Sequence, residues 1–287
     1  MEVMLTAVVL FSLFIASIID IKTREVPDWL SYSLIASAFG LRTIDAIIKQ
    51  SVEPLLTGLA GFAAFFVIGY ILYRSAQWGG GDTKLLMGVG AAMGLPLTLN
   101  QIPTMFVFFI NMIAAGAMIA IVVLLYLGIR ERRKVKEEWK KQRQLYKNLE
   151  KKVFTGFFLL LAFTLILYVY VSPYALSIMV PLLLIPLMYV TVVLVKSIEK
   201  TAFIKTISPK ELTEGDWLSE PATMGKTIIV DTKYCGVTKQ DIKKLSELHA
   251  QGKIKKVIMR TGIPFVPSFF VGYLFTIIIG NWFALLV

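Results

Sequence analysis

The chain has 287 residues, of which 56% are hydrophobic and 17% are charged, and its mean hydropathy is +0.71. Soluble globular domains carry about 25% charged residues, so this composition excludes an ordinary soluble protein. One cysteine (Cys235) and one histidine (His249) exclude a disulfide framework and a four-cysteine zinc site, and argue against a histidine-based metal site or a Ser-His triad. We therefore expect no metal or cofactor, and chemistry carried by carboxylates, lysines or hydroxyls.

The apolar residues form runs of about 17–25 residues, the length that crosses a bilayer as a helix. In chain order we predict eight transmembrane helices, at about 3–20, 29–48, 54–73, 83–99, 103–129, 153–171, 174–195 and 263–286. Because Glu2 precedes the first run and Asp20 follows it, we expect a retained span and not a cleaved signal peptide. The predicted fold class is an all-α polytopic membrane bundle with a small α/β cytoplasmic domain.

The formal net charge is +11, and the basic residues cluster beside the predicted spans. This placement argues for contact with anionic membrane lipid and against nucleic-acid binding. Alternate polar segments, at 21–28, 74–82, 130–152 and 196–262, hold most of the Lys and Arg residues. The positive-inside rule therefore places these segments in the cytoplasm.

We divide the chain into five regions. They are a transmembrane catalytic core at 1–129, a basic cytoplasmic helical segment at 130–152, two additional transmembrane helices at 153–195, a small cytoplasmic α/β domain at 196–262 and a C-terminal transmembrane helix at 263–287. Within the fourth region we predict a strand at 226–231, a helix capped by Thr238 and Asp241 that ends near Ala250, and a strand at 254–259. The alternative for this region is a solvated connector.

Two aspartates lie at predicted membrane boundaries: Asp20 ends the first span, and Asp82 opens the fourth. Acidic residues at such positions are costly to desolvate and are functional candidates. Asp20 could instead be an interfacial stop, and Asp82 could cap a helix N-terminus. Because the predicted topology places both at one membrane depth on one side, we favour a catalytic pair that shares a proton and activates a water.

Asp82 follows three glycines, Gly79, Gly80 and Gly81. Glycines permit positive φ and close backbone approach, so we expect them to shape a substrate-binding site beside Asp82. Lys84 lies two residues further on, where it could influence Asp82 or extend to the membrane interface. Asp28 follows Pro27, and we predict that it is a helix N-cap.

These motifs resemble the archaeal preflagellin and prepilin peptidases, which are type IV prepilin peptidase-like aspartic proteases of the Gly-x-Gly-Asp group. The similarity lies in the segment Asp20–Asp28, in Gly79–Lys84 and, less specifically, in Gly262–Pro267 before the last span. It implies that Asp20 and Asp82 are the catalytic aspartates. It further implies removal of a short basic leader from archaellin or pilin-like precursors, on the cytoplasmic side and just before their hydrophobic helix.

Bacterial relatives carry paired Cys-x-x-Cys motifs and methylate the new N-terminus, so a chain with one cysteine is expected to lack methyltransferase activity. The spans at 153–195 look like an addition to the core of the family. Three alternatives stay open: a presenilin-like or signal-peptide-peptidase-like protease, an ion-coupled transporter that uses acidic residues, and a non-catalytic membrane protein of filament assembly. The two spans between Asp20 and Asp82 argue against the first.

Overall fold

The computed structural model describes residues 1–75, 77–98, 102–170, 174, 177, 179–224, 227–231 and 236–281. The predicted spans, loops and domains also include residues 76, 99–101, 171–173, 175–176, 178, 225–226, 232–235 and 282–287, which lie outside these ranges. Helices dominate the described chain. They are α1 (Glu2–Thr23), α2 (Asp28–Lys49), α3 (Glu53–Arg74), α4 (Gly80–Met93), α5 (Thr104–Arg130), α6 (Arg132–Leu145), α7 (Lys147–Tyr170), α8 (Met179–Ala202), α9 (Lys239–Ala250) and α10 (Val266–Ile278).

Five helices in the described ranges, α1, α3, α5, α7 and α8, are long and apolar enough to cross a bilayer. They make the chain a multi-pass membrane protein, but they do not amount to the eight predicted spans. The remaining three predicted spans correspond to α2, which carries buried Arg42 and Asp45, and to α4 and α10, which are only 14 and 13 residues long. Gly94, with φ of 71°, ends α4 well before the predicted residue 99.

Helices α1 to α5 and α10 pack together as one bundle. Helix α4 lies at its centre, where it contacts α1, α2, α3 and α5. Its Leu85, Leu86 and Val89 are completely buried. Glycine brings α3 and α4 together, because a Cβ on Gly61 would lie 2.3 Å from the Gly90 carbonyl oxygen. Small residues at such crossings let helix backbones pack closely inside a membrane protein.

Arg42 of α2 closes the C-terminal end of α4. Its buried guanidinium donates hydrogen bonds to the carbonyl oxygens of Ala91 (2.6 Å) and Ala92 (2.9 Å), which have lost their partners in the next helical turn. It also donates to the carbonyl of Pro54 and the hydroxyl of Thr57, both at the start of α3. One buried charge thus ties three helices together at the end of the bundle opposite Asp82.

The basic segment is helical, as predicted, but it does not simply continue α5. Breaks at Glu131 and Tyr146 separate α6 from α5 and α7. Nor is α6 solvated on all sides: it packs on α8 and buries Val135 and Gln142. The basic residues occupy its remaining faces, where ion pairs such as Lys134–Glu131 form.

The region after α8 forms the predicted mixed α/β unit. Its strands are β1 (Ile204–Ile207), β2 (Trp217–Leu218), β3 (Ala222–Met224), β4 (Thr227–Val230) and β5 (Val257–Arg260). One antiparallel sheet has the order β1-β5-β2, and β3 pairs with β4. The unit has a core of its own that includes Leu218, Val230 and Leu245. The connector alternative is therefore wrong for this segment.

Two local predictions within this unit are confirmed. Strand β4 falls inside the predicted 226–231 segment. Helix α9 begins with the predicted capping box: the Thr238 side chain accepts a hydrogen bond from the Asp241 N–H, and the Asp241 side chain accepts one of 3.0 Å from the Thr238 N–H. The second predicted strand, at 254–259, begins three residues later as β5. Strand β5 then leads directly into the segment before α10.

Candidate active site

Asp20 lies in the last turn of α1 and is buried. Its Oδ2 accepts a hydrogen bond of 2.9 Å from the backbone N–H of Val266, the first residue of α10. An unpaired N–H at a helix N-terminus is a good donor to a carboxylate, because the helix dipole also favours negative charge there. Helix α1 ends just beyond Asp20, since Arg24 adopts a left-handed conformation with φ of 62°. Asp20 therefore joins the end of one helix to the start of another.

Asp82 lies in the first turn of α4, and its Oδ2 accepts a hydrogen bond of 3.2 Å from the Gly79 N–H. The capping role considered for Asp82 is thus partly correct, although Gly79 occupies the N-cap position itself. This hydrogen bond uses only Oδ2 of Asp82, so Oδ1 is left available for another partner. A carboxyl group has acceptor capacity for several partners at once, so capping does not exclude a chemical role.

The two aspartates face one cavity of about 600 Å³. The end of α1, the glycine segment at the start of α4 and the residues before α10 form one part of its lining, and residues of the α/β unit form the other part. The lining residues other than the two aspartates are Thr23, Arg24, Glu25, Val26, Gly79, Gly80, Gly81, Glu211, Thr213, Glu214, Gly215, Asp216, Trp217, Met259, Arg260, Thr261, Gly262, Ile263, Pro264 and Phe265. Segments as far apart in the chain as Arg24 and Gly262, 238 residues, thus meet at one end of the bundle.

The glycine run acts through close packing and not through unusual backbone angles. None of Gly79, Gly80 and Gly81 has a positive φ, which corrects that part of the prediction. Close approach is required at one position only: a Cβ on Gly81 would lie 2.9 Å from Val26 Cβ and 3.1 Å from Val26 O. A Cβ on Gly80 would meet no atom nearer than 3.9 Å. Gly81 therefore lets the loop after α1 lie against the start of α4.

Trp78 anchors the glycine segment and was missed in the sequence. Its ring lies 5.3 Å from that of Phe265, 5.5 Å from that of Phe269 and 6.5 Å from that of Phe109. These tilted contacts hold the residue before the glycines against α5 and α10. A large aromatic residue immediately before a glycine run at a membrane boundary was the available signal.

Lys84 forms an ion pair with Asp28, with 2.6 Å between Nζ and Oδ1, and lies over the Tyr32 ring. It thereby joins α4 to the start of α2. Asp28 is the first residue of α2, and Pro27 occupies the N-cap position without a side-chain hydrogen bond, so the N-cap prediction for Asp28 is wrong. The partner of Lys84 is Asp28, and the pair holds the two helix ends beside the cavity.

Glu25, Glu214 and Asp216 are acidic cavity residues that the sequence reading did not single out. Glu25 follows α1, and the other two lie in the loop before β2. Glu25 is exposed at its surface, and partial desolvation raises the pKa of its carboxyl group; the nearby charges of Asp216 and Glu214 raise that pKa further. Three carboxyl groups therefore line the cavity where the bundle meets the α/β unit.

An apolar groove of about 320 Å³ adjoins the cavity. It runs along one face of α5 and shares Ile263, Pro264 and Phe265 with the cavity lining. Small residues of α5, Gly116, Ala117 and Ala120, form its floor. Among the residues that the structure covers, no three His, Cys, Asp or Glu side chains are grouped so that they could hold a metal ion.

Residues 7–121 match the type IV leader peptidase family. Preflagellin peptidase from Methanococcus maripaludis is 31% identical over 126 residues, which cover 39% of this chain and 54% of that protein. Preflagellin peptidase from Methanococcus voltae is 35% identical over 85 residues, or 30% of this chain and 36% of that protein. Prepilin peptidase EppA from Methanothermobacter thermautotrophicus is 23% identical over 98% of this chain and 95% of its own length.

The chain thus matches about half, or less, of the length of the two preflagellin peptidases. No solved structure matches it. The matched segment contains Asp20, the three glycines, Asp82 and Lys84, and it ends within α5. The resemblance of this chain to the type IV leader peptidases, first seen in its aspartate and glycine motifs, is confirmed over residues 7–121.

Proposed function

We propose that the protein is a membrane aspartic endopeptidase that removes the short basic leader peptide from archaellin or type IV pilin-like precursors at the cytoplasmic membrane face. One observation carries the proposal: Asp20 and Asp82, from two separate helices, face the same cavity at one end of the bundle. The family match over residues 7–121 and the names of the relatives support the substrate class.

In the proposed reaction the two carboxyl groups share one proton and hold a water between them. The ionised carboxylate accepts a proton from this water as its oxygen bonds to the scissile carbonyl carbon, and the other carboxyl donates its proton to the carbonyl oxygen. The resulting diol then returns a proton to the second carboxylate. The C–N bond breaks while the amine nitrogen takes the proton held by the first carboxyl. Both carboxyl groups end as they began.

The apolar groove beside the cavity fits the part of the precursor that follows the cut. Its small residues on α5 leave room for an apolar helix, and its continuity with the cavity through 263–265 would bring the start of such a helix to the aspartates. We assign the groove to the hydrophobic helix of the precursor. This order, with the leader in the cavity and the helix in the groove, accounts for cleavage just before the helix.

We further propose eight transmembrane helices: α2, α4 and α10 would cross the membrane together with α1, α3, α5, α7 and α8. Contacts with their neighbours cover the polar groups of α2 and the short α4, which relaxes the need for length and uniform apolarity. The division into a core at 1–129, a cytoplasmic helical segment at 130–152, added spans at 153–195, a cytoplasmic domain at 196–262 and a last span at 263–287 remains our proposal. We also propose that the protein contacts membrane lipid, that it does not bind nucleic acid and that it has no methyltransferase activity.

The test is cleavage of a pilin-like precursor by the purified protein in detergent, followed by the mobility shift of the product. We expect a shift with the unaltered protein and none with Asp20→Asn or Asp82→Asn. Glu53→Gln is the matched control, because this exposed carboxyl begins α3 at the end of that helix farther from the cavity. Full activity in either aspartate variant would refute the catalytic pair. If none of several archaellin and pilin-like precursors is cleaved, the transporter alternative is tested by measuring ion flux in liposomes.

A further inference from the structure

The cavity has the opposite charge character to the rest of the chain. The whole protein carries a formal net charge of +11. The cavity, by contrast, is lined by six acidic residues and by only two basic ones, Arg24 and Arg260; the six are Asp20, Glu25, Asp82, Glu211, Glu214 and Asp216. Four of the six carboxyl groups lie outside the proposed catalytic pair. A pocket lined by one sign of charge concentrates ligands of the opposite sign.

Both arginines in the lining already have partners. Arg24 donates through Nη1 to the carbonyl oxygen of Gly262, which holds the loop after α1 against the segment before α10. Arg260 forms an ion pair with Glu199 at the end of α8, with 2.6 Å between Nη2 and Oε1. Arg260 is therefore paired outside the cavity lining, and the charge of Arg24 acts on Asp20 and not on the three carboxyl groups of Glu25, Glu214 and Asp216.

Two of these carboxyl groups, those of Glu214 and Asp216, lie in one short loop of the cavity lining. Asp216 accepts a hydrogen bond of 2.7 Å from the Thr213 N–H, which sets the shape of the loop that carries Glu214. Glu214 has one ion pair, to the exposed Lys239 at 3.4 Å. Repulsion from this loop contributes to the raised pKa of Glu25. Ionising Glu25 is therefore harder in the folded chain than in the unfolded one, so its negative charge at neutral pH lowers stability.

We infer that the α/β unit and the loop after α1 together recognise the leader peptide: Glu25, Glu214 and Asp216 form an acidic wall that binds lysine or arginine side chains of the precursor. This inference rests on the proposed peptidase function. The acidic wall and the aspartate pair line the same cavity, and the apolar groove adjoins that cavity through residues 263–265. A precursor with a basic leader next to an apolar helix matches this acidic cavity and its neighbouring groove.

Other ligands fit less well. Anionic lipid headgroups and nucleic acid would be repelled by the carboxyl groups. A divalent cation would need a cluster of ligating side chains, and none is formed by the residues that the structure describes. Basic peptide side chains reach several separate carboxylates at once and are therefore the cations that this wall suits best.

The test uses a fluorescent peptide with the basic leader of a pilin-like precursor, together with a second peptide in which glutamine replaces its lysines and arginines. Binding is measured by anisotropy on the Asp82→Asn protein in detergent, so the readout does not depend on cleavage. We expect the double change Glu25→Gln and Glu214→Gln to weaken binding of the basic peptide by about tenfold or more. Binding of the neutral peptide should be unchanged. Glu220→Gln, an exposed carboxyl in the same unit, is the matched control.

Thermal unfolding of the same variants separates recognition from a structural role. The melting temperature of the double variant should be equal or higher, because the changed side chains are exposed, repelling charges are removed, and the lost ion pair between Glu214 and Lys239 is a surface pair that contributes little. A lower melting temperature, or equal loss of binding for both peptides, would overturn the inference. The same double change is also made in the protein that retains Asp82, and cleavage of a precursor with a basic leader is compared with cleavage of one whose leader is neutral. Unaltered selectivity of this variant for the basic leader would overturn the inference while leaving the peptidase proposal intact. Selective binding of the basic peptide, with no cleavage by the protein that retains Asp82, would support the inference and contradict the peptidase proposal.

Discussion

Gly81→Ala tests the geometry that brings the two aspartates together. An added methyl group would lie 2.9 Å from Val26 Cβ and 3.1 Å from Val26 O. Unbonded carbon atoms are in optimal contact at about 3.5–4.0 Å. Either Val26 or the start of α4 must therefore move by roughly 0.5–1 Å, by the same contact distances. Val26 lies only six residues after Asp20, and Gly81 directly precedes Asp82, so the displacement falls on the proposed catalytic pair.

Overpacking of this kind costs about 1–3 kcal/mol. A loss of about 1.4 kcal/mol corresponds to a tenfold change in rate. Misplacement of a reacting group by about 1 Å can cost about a hundredfold. We therefore expect Gly81→Ala to reduce kcat/KM for precursor cleavage by about 10- to 100-fold, mainly through kcat.

Gly80→Ala is the matched comparison, because its methyl group would find only Tyr73 Cε2, at 3.9 Å. Alanine is also a better helix former than glycine by about 1 kcal/mol, and Gly80 begins α4. We expect Gly80→Ala to lose less than about threefold in kcat/KM, a barrier change below roughly 0.7 kcal/mol. The assay is steady-state cleavage of a precursor with both variants in the same detergent. Equal activity of the two variants would refute the argument from close approach at Gly81.

Three further predictions follow from the bundle. Arg42→Lys should lower the free energy of unfolding by about 2–4 kcal/mol, because buried carbonyl acceptors lose their donors; limited proteolysis in detergent measures this, and an unchanged protein would contradict the capping role. Gly61→Ala should lower the melting temperature, since its methyl group would lie 2.3 Å from a backbone oxygen, whereas Gly40→Ala, with no atom within 4 Å, should raise it slightly. Ala117→Leu should fill part of the apolar groove and raise KM for full precursors, but not for leader peptides that lack the apolar helix; an equal effect on both would exclude the groove as the helix site.

Several features were readable from local patterns. Long apolar runs indicate membrane helices because their composition excludes them from water, and the caps of α9 follow from residue types three positions apart. Asp20 and Asp82 stood out because acidic residues at membrane boundaries are costly. Such patterns depend on neighbours within a few residues, which the chain order supplies directly.

Other features depend on which segments meet. The hydrogen bond from Val266 to Asp20, the contact of Gly81 with Val26 and the pairing of Lys84 with Asp28 join residues that are far apart in the chain. The short length of α4 was also hidden, because Arg42 from another helix satisfies its last carbonyl groups. The acidic wall forms only when the α/β unit lies over the end of the bundle. Residue patterns along the chain therefore predict its helices and its candidate aspartates. Packing between distant segments determines which residues line the cavity, because side-chain contacts depend on three-dimensional proximity and not on spacing in the sequence.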